Sequence, residues 1–158
     1  MTARYIPDHE ELARVVADLR AGGRVVVFVN GCFDLIHVGH IRYLRGAKEE
    51  GDVLLLALNS DASIRGNKGE GRPAQPEDER IEVVSALEMV DLVTVFSDPT
   101  VDRLLTLLTP DVHAKGTDYT EETVPERETV LAYGGRIAIV GDPKDHSSSE
   151  LLRSIRKR

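Results

Sequence analysis

The chain has 158 residues, 41% apolar and 30% charged side chains, and a formal net charge of −7. This is the composition of one folded domain, which at this size buries about two-thirds of its unfolded surface. The acidic balance argues against a dedicated nucleic-acid module, which carries a basic excess. A single cysteine, Cys32, excludes an internal disulfide framework and a multi-cysteine zinc site. No apolar run reaches bilayer length, and residues 1–11 hold no apolar signal core, so a cytoplasmic protein without a membrane partner is expected.

In chain order, residues 8–19 place Leu12, Val15, Val16 and Leu19 on one helical face, and Gly22-Gly23 stops that helix. Apolar strands are expected at 25–30 and 53–59, both nearly continuous in apolar residues, as in strands covered on two faces. Between them, residues 40–50 carry Ile41, Leu44 and Ala47 at helical spacing. Residues 60–75 hold three glycines and read as a mobile functional loop. A helix at 75–90, a strand at 92–96, a short helix at 100–108 ending before Pro110, and a strand at 112–115 follow. A weakly periodic helix at 121–133, a strand at 136–140 and a last helix opening at Ser147–Ser149 complete the chain. One helix followed by five βα steps predicts a single-domain three-layer α/β/α sandwich around a five-stranded parallel sheet. Such sheets bind ligands at the carboxyl ends of their strands, here the loops after Asn30, Asn59, Phe96, Lys115 and Val140.

The stretch Asn30-Gly31-Cys32-Phe33-Asp34-Leu35-Ile36-His37-Val38-Gly39-His40 leaves the first buried strand and opens a helix. Two histidines three residues apart in a first turn share a side, and Gly39 between them lets a ligand come close. A helix N-terminus favours anions through its N–H groups and dipole, so adding two imidazoles suits a triphosphate. Bound phosphates would favour the cationic imidazoles. A structural pair or a metal site is the competing reading, but His9, His113 and His146 offer no obvious third-ligand spacing. There is no Gly-x-x-x-x-Gly-Lys-Ser/Thr loop, and residues 66–71 do not fit Gly-x-Gly-x-x-Gly.

The segment 31–40 resembles the signature of the cytidylyltransferase-like nucleotidyltransferases, the group with a His-x-Gly-His motif. The resemblance runs over nearly all of the chain after residue 24, with 1–23 as an N-terminal helical segment and 24–158 as the core. Asn59-Ser60-Asp61, Lys68-Gly69 before Arg72-Pro73, Glu79-Arg80, Lys115-Gly116-Thr117-Asp118-Tyr119 and Ser147-Ser148-Ser149, in that order, are similar to the adenylyltransferase domains of bacterial ADP-heptose synthases. The resemblance implies a Rossmann-like fold. It implies that His37, His40 and Lys68 stabilise the transition state, with Lys68 neutralising charge on the α-phosphate. Gly31, Cys32, Phe33, Gly39, Lys115, Gly116, Asp118 and Ser147, Ser148 and Ser149 would bind the nucleotide, and Asn59, Asp61 and Arg72 the incoming sugar phosphate. Asp34 either holds Mg²⁺ through water or caps the following helix, and Tyr119 either packs on the base or lies in the core.

His146 departs from the uncharged or apolar residue usual in relatives, and the sugar-kinase half of the bifunctional enzymes has no room in 158 residues. The expectation is therefore transfer of AMP from ATP, with Mg²⁺, to a sugar 1-phosphate supplied by a separate kinase. A homodimer without nucleic-acid partners is expected. Two alternatives stay open: a CTP-dependent transfer to glycerol 3-phosphate or another polyol phosphate, and a nucleotide-binding module without catalysis.

Overall fold

The computed structural model describes residues 2–143 and 147–157. In chain order the elements are β1 (Arg4–Tyr5), α1 (His9–Ala21), β2 (Val26–Gly31), α2 (Val38–Lys48), β3 (Val53–Asn59), α3 (Asp61–Lys68), α4 (Glu77–Ser85), β4 (Leu92–Phe96), α5 (Asp102–Leu108), β5 (Val112–Lys115), α6 (Arg127–Ala132), β6 (Arg136–Ile139) and α7 (Ser148–Arg156). All strand pairs are parallel, in the order β1-β4-β3-β2-β5-β6. The sheet thus has six strands, not five. The extra one, β1, is two exposed residues paired to β4 at Arg4↔Leu92 and Tyr5↔Val93, too short to leave a periodic signal.

The layers follow from which residues are apolar. Leu12, Val16, Leu105 and Val130 from α1, α5 and α6 pack with Phe28 and Leu55 on one face of the sheet. Leu44, Ala47 and Val84 from α2 and α4 pack with Val27, Val29, Leu56 and Val93 on the other. β2 and β3 are sandwiched between these layers, which is why their sequences are continuous in apolar residues. From β2 the chain winds outward through β3 and β4, then returns to β5 and β6 on the opposite side, so the order reverses between β2 and β5.

Two expected elements change form. The loop expected at 60–75 opens with α3, because Ser60 caps it by accepting from the Ser63 N–H (3.1 Å) and Ile64 is buried beneath it. The helix expected at 121–133 is confined to α6, because Pro125 cannot supply an N–H inside a helix and restricts the residue before it. No helix among the described residues is long and apolar enough to cross a membrane.

Two buried charges tie the rim together. The Arg80 side chain is 0% exposed. Its Nη1 donates to the carbonyls of Cys32 and Asn59 (both 2.8 Å), its Nε to the Gln75 carbonyl (3.1 Å), and its Nη2 to Asp61 Oδ1 (2.7 Å). One guanidinium thereby joins the ends of β2 and β3 to the start of α4. Asp34, 1% exposed, accepts from the Ala74 N–H (2.8 Å), the Gln75 N–H (2.9 Å) and Arg72 Nε (3.2 Å), which anchors the segment before α4.

A third buried group of charges lies on the α1/α5/α6 face. Glu126 Oε2 is 3.5 Å from His113 Nε2, and Oε1 is 3.8 Å from Lys115 Nζ. Burial pushes the His113 pKa down against the pull of Glu126, and burial likewise lowers that of Lys115. Burial alone would raise Glu126, but the bond from His113 and the Lys115 charge hold it below the usual carboxylate range.

Replacing Arg80 by Met should destabilise the fold by about 3 kcal/mol in denaturant titration, since Asp61 and three carbonyls lose their donor. Arg80→Lys should recover only part of this, because one ammonium cannot span the same acceptors. For His113 the folded state resists a proton that the unfolded imidazole accepts near pH 6.5, so stability falls as pH drops below that value. His113→Gln should flatten this slope between about pH 5.5 and 7, as read by denaturant midpoints at each pH.

Candidate active site

The chain leaves β2 through a tight turn. Phe33 sits in the left-handed region at φ +46°, a strained setting for a non-glycine residue. Its ring folds back over Gly31, where a Cβ would meet Phe33 Cε2 at 2.9 Å, so that position requires glycine. The same ring packs on His40 with centroids 5.3 Å apart. Phe33 thus braces the start of α2.

His37 is the N-cap of α2, in extended conformation. The Gly39 N–H donates to His37 Nδ1 (3.1 Å), and the His37 N–H donates to His40 Nδ1 (3.2 Å). The two imidazoles therefore do the work usually done by Ser, Thr or Asp side chains at a helix start. A ring nitrogen that accepts from an N–H carries no proton, so both rings bear theirs on Nε2. The rings lie 4.0 Å apart between centroids, tilted by 40°. Protonating Nδ1 of either ring, as the expected cationic form requires, would cost one of these backbone bonds.

His37, Gly39 and His40 line a cleft of about 340 Å³ together with Lys68 from the end of α3, Gly116 and Asp118 from the loop after β5, and Ser147 and Ser149 at the start of α7. Eight of the expected residues, dispersed over more than a hundred positions, meet here. Ser147 caps α7 by accepting from the Glu150 N–H (3.0 Å), so part of the serine cluster serves capping. The start of a nine-residue helix suits an anion. Ser148 opens α7, its side chain lying outside the described residues, as does His146.

Other expected residues serve elsewhere. Cys32 gives its carbonyl to Arg80, and Gly31 and Phe33 support the turn. Lys115 pairs with Glu126 and lies 4.9 Å over the ring of Tyr119, a partly buried residue packed against the α1/α5/α6 core. Asn59 donates to Ser63 Oγ (3.1 Å), Asp61 pairs with Arg80, and Arg72 pairs with Asp34. These three do not line the cleft. Asp61 and Arg72 line a separate hollow of about 280 Å³ with Arg65. Helix capping by Asp34 is corrected, because His37 takes the cap of α2. The Mg²⁺ role of Asp34 does not fit either: its carboxylate is buried and both oxygens accept from the 72–75 segment. Among the described residues no group of three or more His, Cys, Asp or Glu is arranged to hold a metal ion.

Several lining residues carried no expectation. Arg42 Nη1 lies 2.9 Å from Asp142 Oδ2, and Thr117 Oγ1 donates to the Asp142 carbonyl (2.8 Å), so α2 and the loop after β5 both hold the segment that leads to α7. The Tyr43 hydroxyl donates to the Ala114 carbonyl (2.6 Å), and its pKa is raised by burial and by the nearby charge of Glu126. Tyr43 stands three residues after His40, a spacing that puts it on the same helical side. Arg42 and Asp142 left no comparable pattern.

The cytidylyltransferase-like family model matches residues 28–153, which contain most of this site. Over 146 residues the chain is 47% identical to the Bifunctional protein HldE of Geobacter sulfurreducens, covering 92% of this chain and 30% of that one. It is 43% identical over 153 residues to the Bifunctional protein HldE of Trichlorobacter lovleyi, covering 97% and 31%. The chain thus spans about a third of the length of these relatives. Among solved structures, the lipopolysaccharide core biosynthesis protein from Thermoplasma volcanium shares the fold at a TM-score of 0.67 and 26% identity, covering 77% of this chain and all of that one. With a match over most of its length and an imidazole-capped cleft at the reversal of its sheet, the chain belongs to the cytidylyltransferase-like family of nucleotidyltransferases.

Proposed function

We propose that the chain transfers AMP from ATP to D-glycero-β-D-manno-heptose 1-phosphate, giving ADP-heptose and pyrophosphate. The observation that carries this reading is one cleft lined by both imidazoles, Lys68 and the start of α7. The choice of sugar rests on the likeness to the HldE proteins and to the Thermoplasma volcanium protein.

A phosphate oxygen of the sugar attacks the α-phosphorus of ATP, a new P–O bond forms, and the bond from that phosphorus to the β-phosphate oxygen breaks. Pyrophosphate takes the electron pair. The attacking oxygen is already anionic, so no general base is needed. Catalysis then consists of alignment and charge neutralisation. The imidazole Nε2–H groups and the α7 N-terminus act on the β- and γ-phosphates, and Lys68 on the charge developing at the α-phosphate. Asp34 is committed to the 72–75 segment, so Mg²⁺, which would supply further neutralisation of phosphate charge, would be carried by the nucleotide and not by this carboxylate. The phosphorylated sugar must come from a kinase-class reaction.

Pyrophosphate release measured over ATP and CTP, each with heptose 1-phosphate and glycerol 3-phosphate, tests the assignment. ATP with the heptose should be the productive pair. CTP with glycerol 3-phosphate would replace it by the cytidylyl reading, and silence of every pair would leave a binding module. His40→Ala should reduce kcat by about 10²–10³ while circular dichroism shows a folded chain. Near-normal turnover in that variant would remove the histidine from the mechanism.

A further inference from the structure

α7 presents much of its apolar side to solvent, with Leu151 and Ile155 both exposed. Its start nevertheless shares one cleft with the two imidazoles. The chain that leads into α7 therefore has a large part in placing it.

That chain is seamed to α2. The Val140 N–H donates to the Lys115 carbonyl (2.9 Å), which carries the pairing with β5 one residue beyond Ile139. Gly141 then turns in the left-handed region at φ +91°, where a Cβ would lie 3.2 Å from Tyr43 Cα. Three residues on along α2, a Cβ on Gly46 would lie 3.1 Å from Val140 Cβ and 3.2 Å from the Gly141 nitrogen. Two glycines thus let the helix and the 140–141 segment meet closely. The bond from the Tyr43 hydroxyl to the Ala114 carbonyl ties the same stretch of α2 to β5.

Asp142 comes next and is held at both ends. Its carboxylate lies 2.9 Å from Arg42 Nη1, and its carbonyl accepts from Thr117 Oγ1 (2.8 Å). The ion pair is half exposed, with side chains 50% and 56% accessible, and such pairs add little to stability. Its location is what sets it apart. Both partners line the cleft, Arg42 two residues after His40 and Asp142 on the approach to Ser147. The glycine seam sets how close the segment comes to α2, and the ion pair sets where along α2 it sits.

A triphosphate that bridges the imidazoles and the start of α7 needs the span between them fixed. We propose that Arg42 and Asp142 are positioning residues for the nucleotide phosphates, their ion pair holding the start of α7 at its working distance from the start of α2. They act through α7 and not by touching the nucleotide. This rests on the nucleotidyl transfer proposed above for where the phosphates lie.

Calorimetric titration of the full chain with a non-hydrolysable ATP analogue, on Arg42→Gln, Asp142→Asn and the double variant, provides the test. Each single change should weaken analogue binding about tenfold, and the double variant should lose no more, since the two side chains act as one unit. Arg42→Lys keeps the charge and should recover most of the loss. Melting temperatures should stay within about 2 °C of the wild type, as an exposed pair requires. If Arg42→Gln binds weakly while Asp142→Asn binds as the wild type does, Arg42 grips the phosphates directly and the positioning role falls. Wild-type affinity in both single variants, multiplied losses in the double variant, or weakened binding that tracks a lowered melting temperature would overturn it as well. The titration is independent of the acceptor. A wild-type chain that binds the analogue but turns over no sugar 1-phosphate removes the proposed transfer, while the variants still decide the role of this pair. A wild-type chain that does not bind the analogue removes both.

Discussion

The first N–H groups of a helix need acceptors, and at the start of α2 they find them in imidazole nitrogens. That single constraint joins fold to chemistry. Because Nδ1 of each ring is spent on the backbone, the proton resides on Nε2 and the ring planes are fixed within one turn. A hydroxyl or carboxylate cap would satisfy the helix equally well but would bring no donor to an anion. The strained Phe33 and the glycine beneath it serve the same end, since they steer the chain from β2 into this cap and brace His40 from behind.

Around that turn, buried charges hold the rim of the sheet. Arg80 and Asp34 are saturated: every bond they make runs to backbone or to an opposite charge, and they hold the ends of β2 and β3 and the 72–75 segment in register. Glu126, His113 and Lys115 form a second buried group, in which Glu126 lies 3.5 Å from His113 Nε2 and 3.8 Å from Lys115 Nζ. A saturated buried network specifies structure, whereas an unsaturated one is costly unless something else completes it.

The parallel winding gives the cleft its place. Strand ends on either side of the β2/β5 reversal splay apart and leave a crevice, and the loops after β2, β5 and β6 converge on it. The loop after β4 instead lines a separate hollow with Asp8 and His9, which is why its position at a strand end brought it no share in the cleft.

Much of this was legible in the chain itself. The continuous apolar runs of β2 and β3 point to strands covered on both faces, and the helical periodicities between them make the sheet parallel. The His-x-Gly-His stretch, following such a strand and opening a helix, points to the cleft that the structure forms there. What required the folded structure was everything set by long-range pairing. β1 exists only because β4 offers it an edge. Arg80 reads as one more charge on a helix until four distant groups close around it. Asn59, Asp61, Arg72 and Asp34 look like ligand contacts by position, yet their partners lie 4 to 41 residues away and bind them to the scaffold. Periodicity reports which side of an element is buried; it carries no record of which polar atoms meet once that side is covered, and that matching is decided only by tertiary packing.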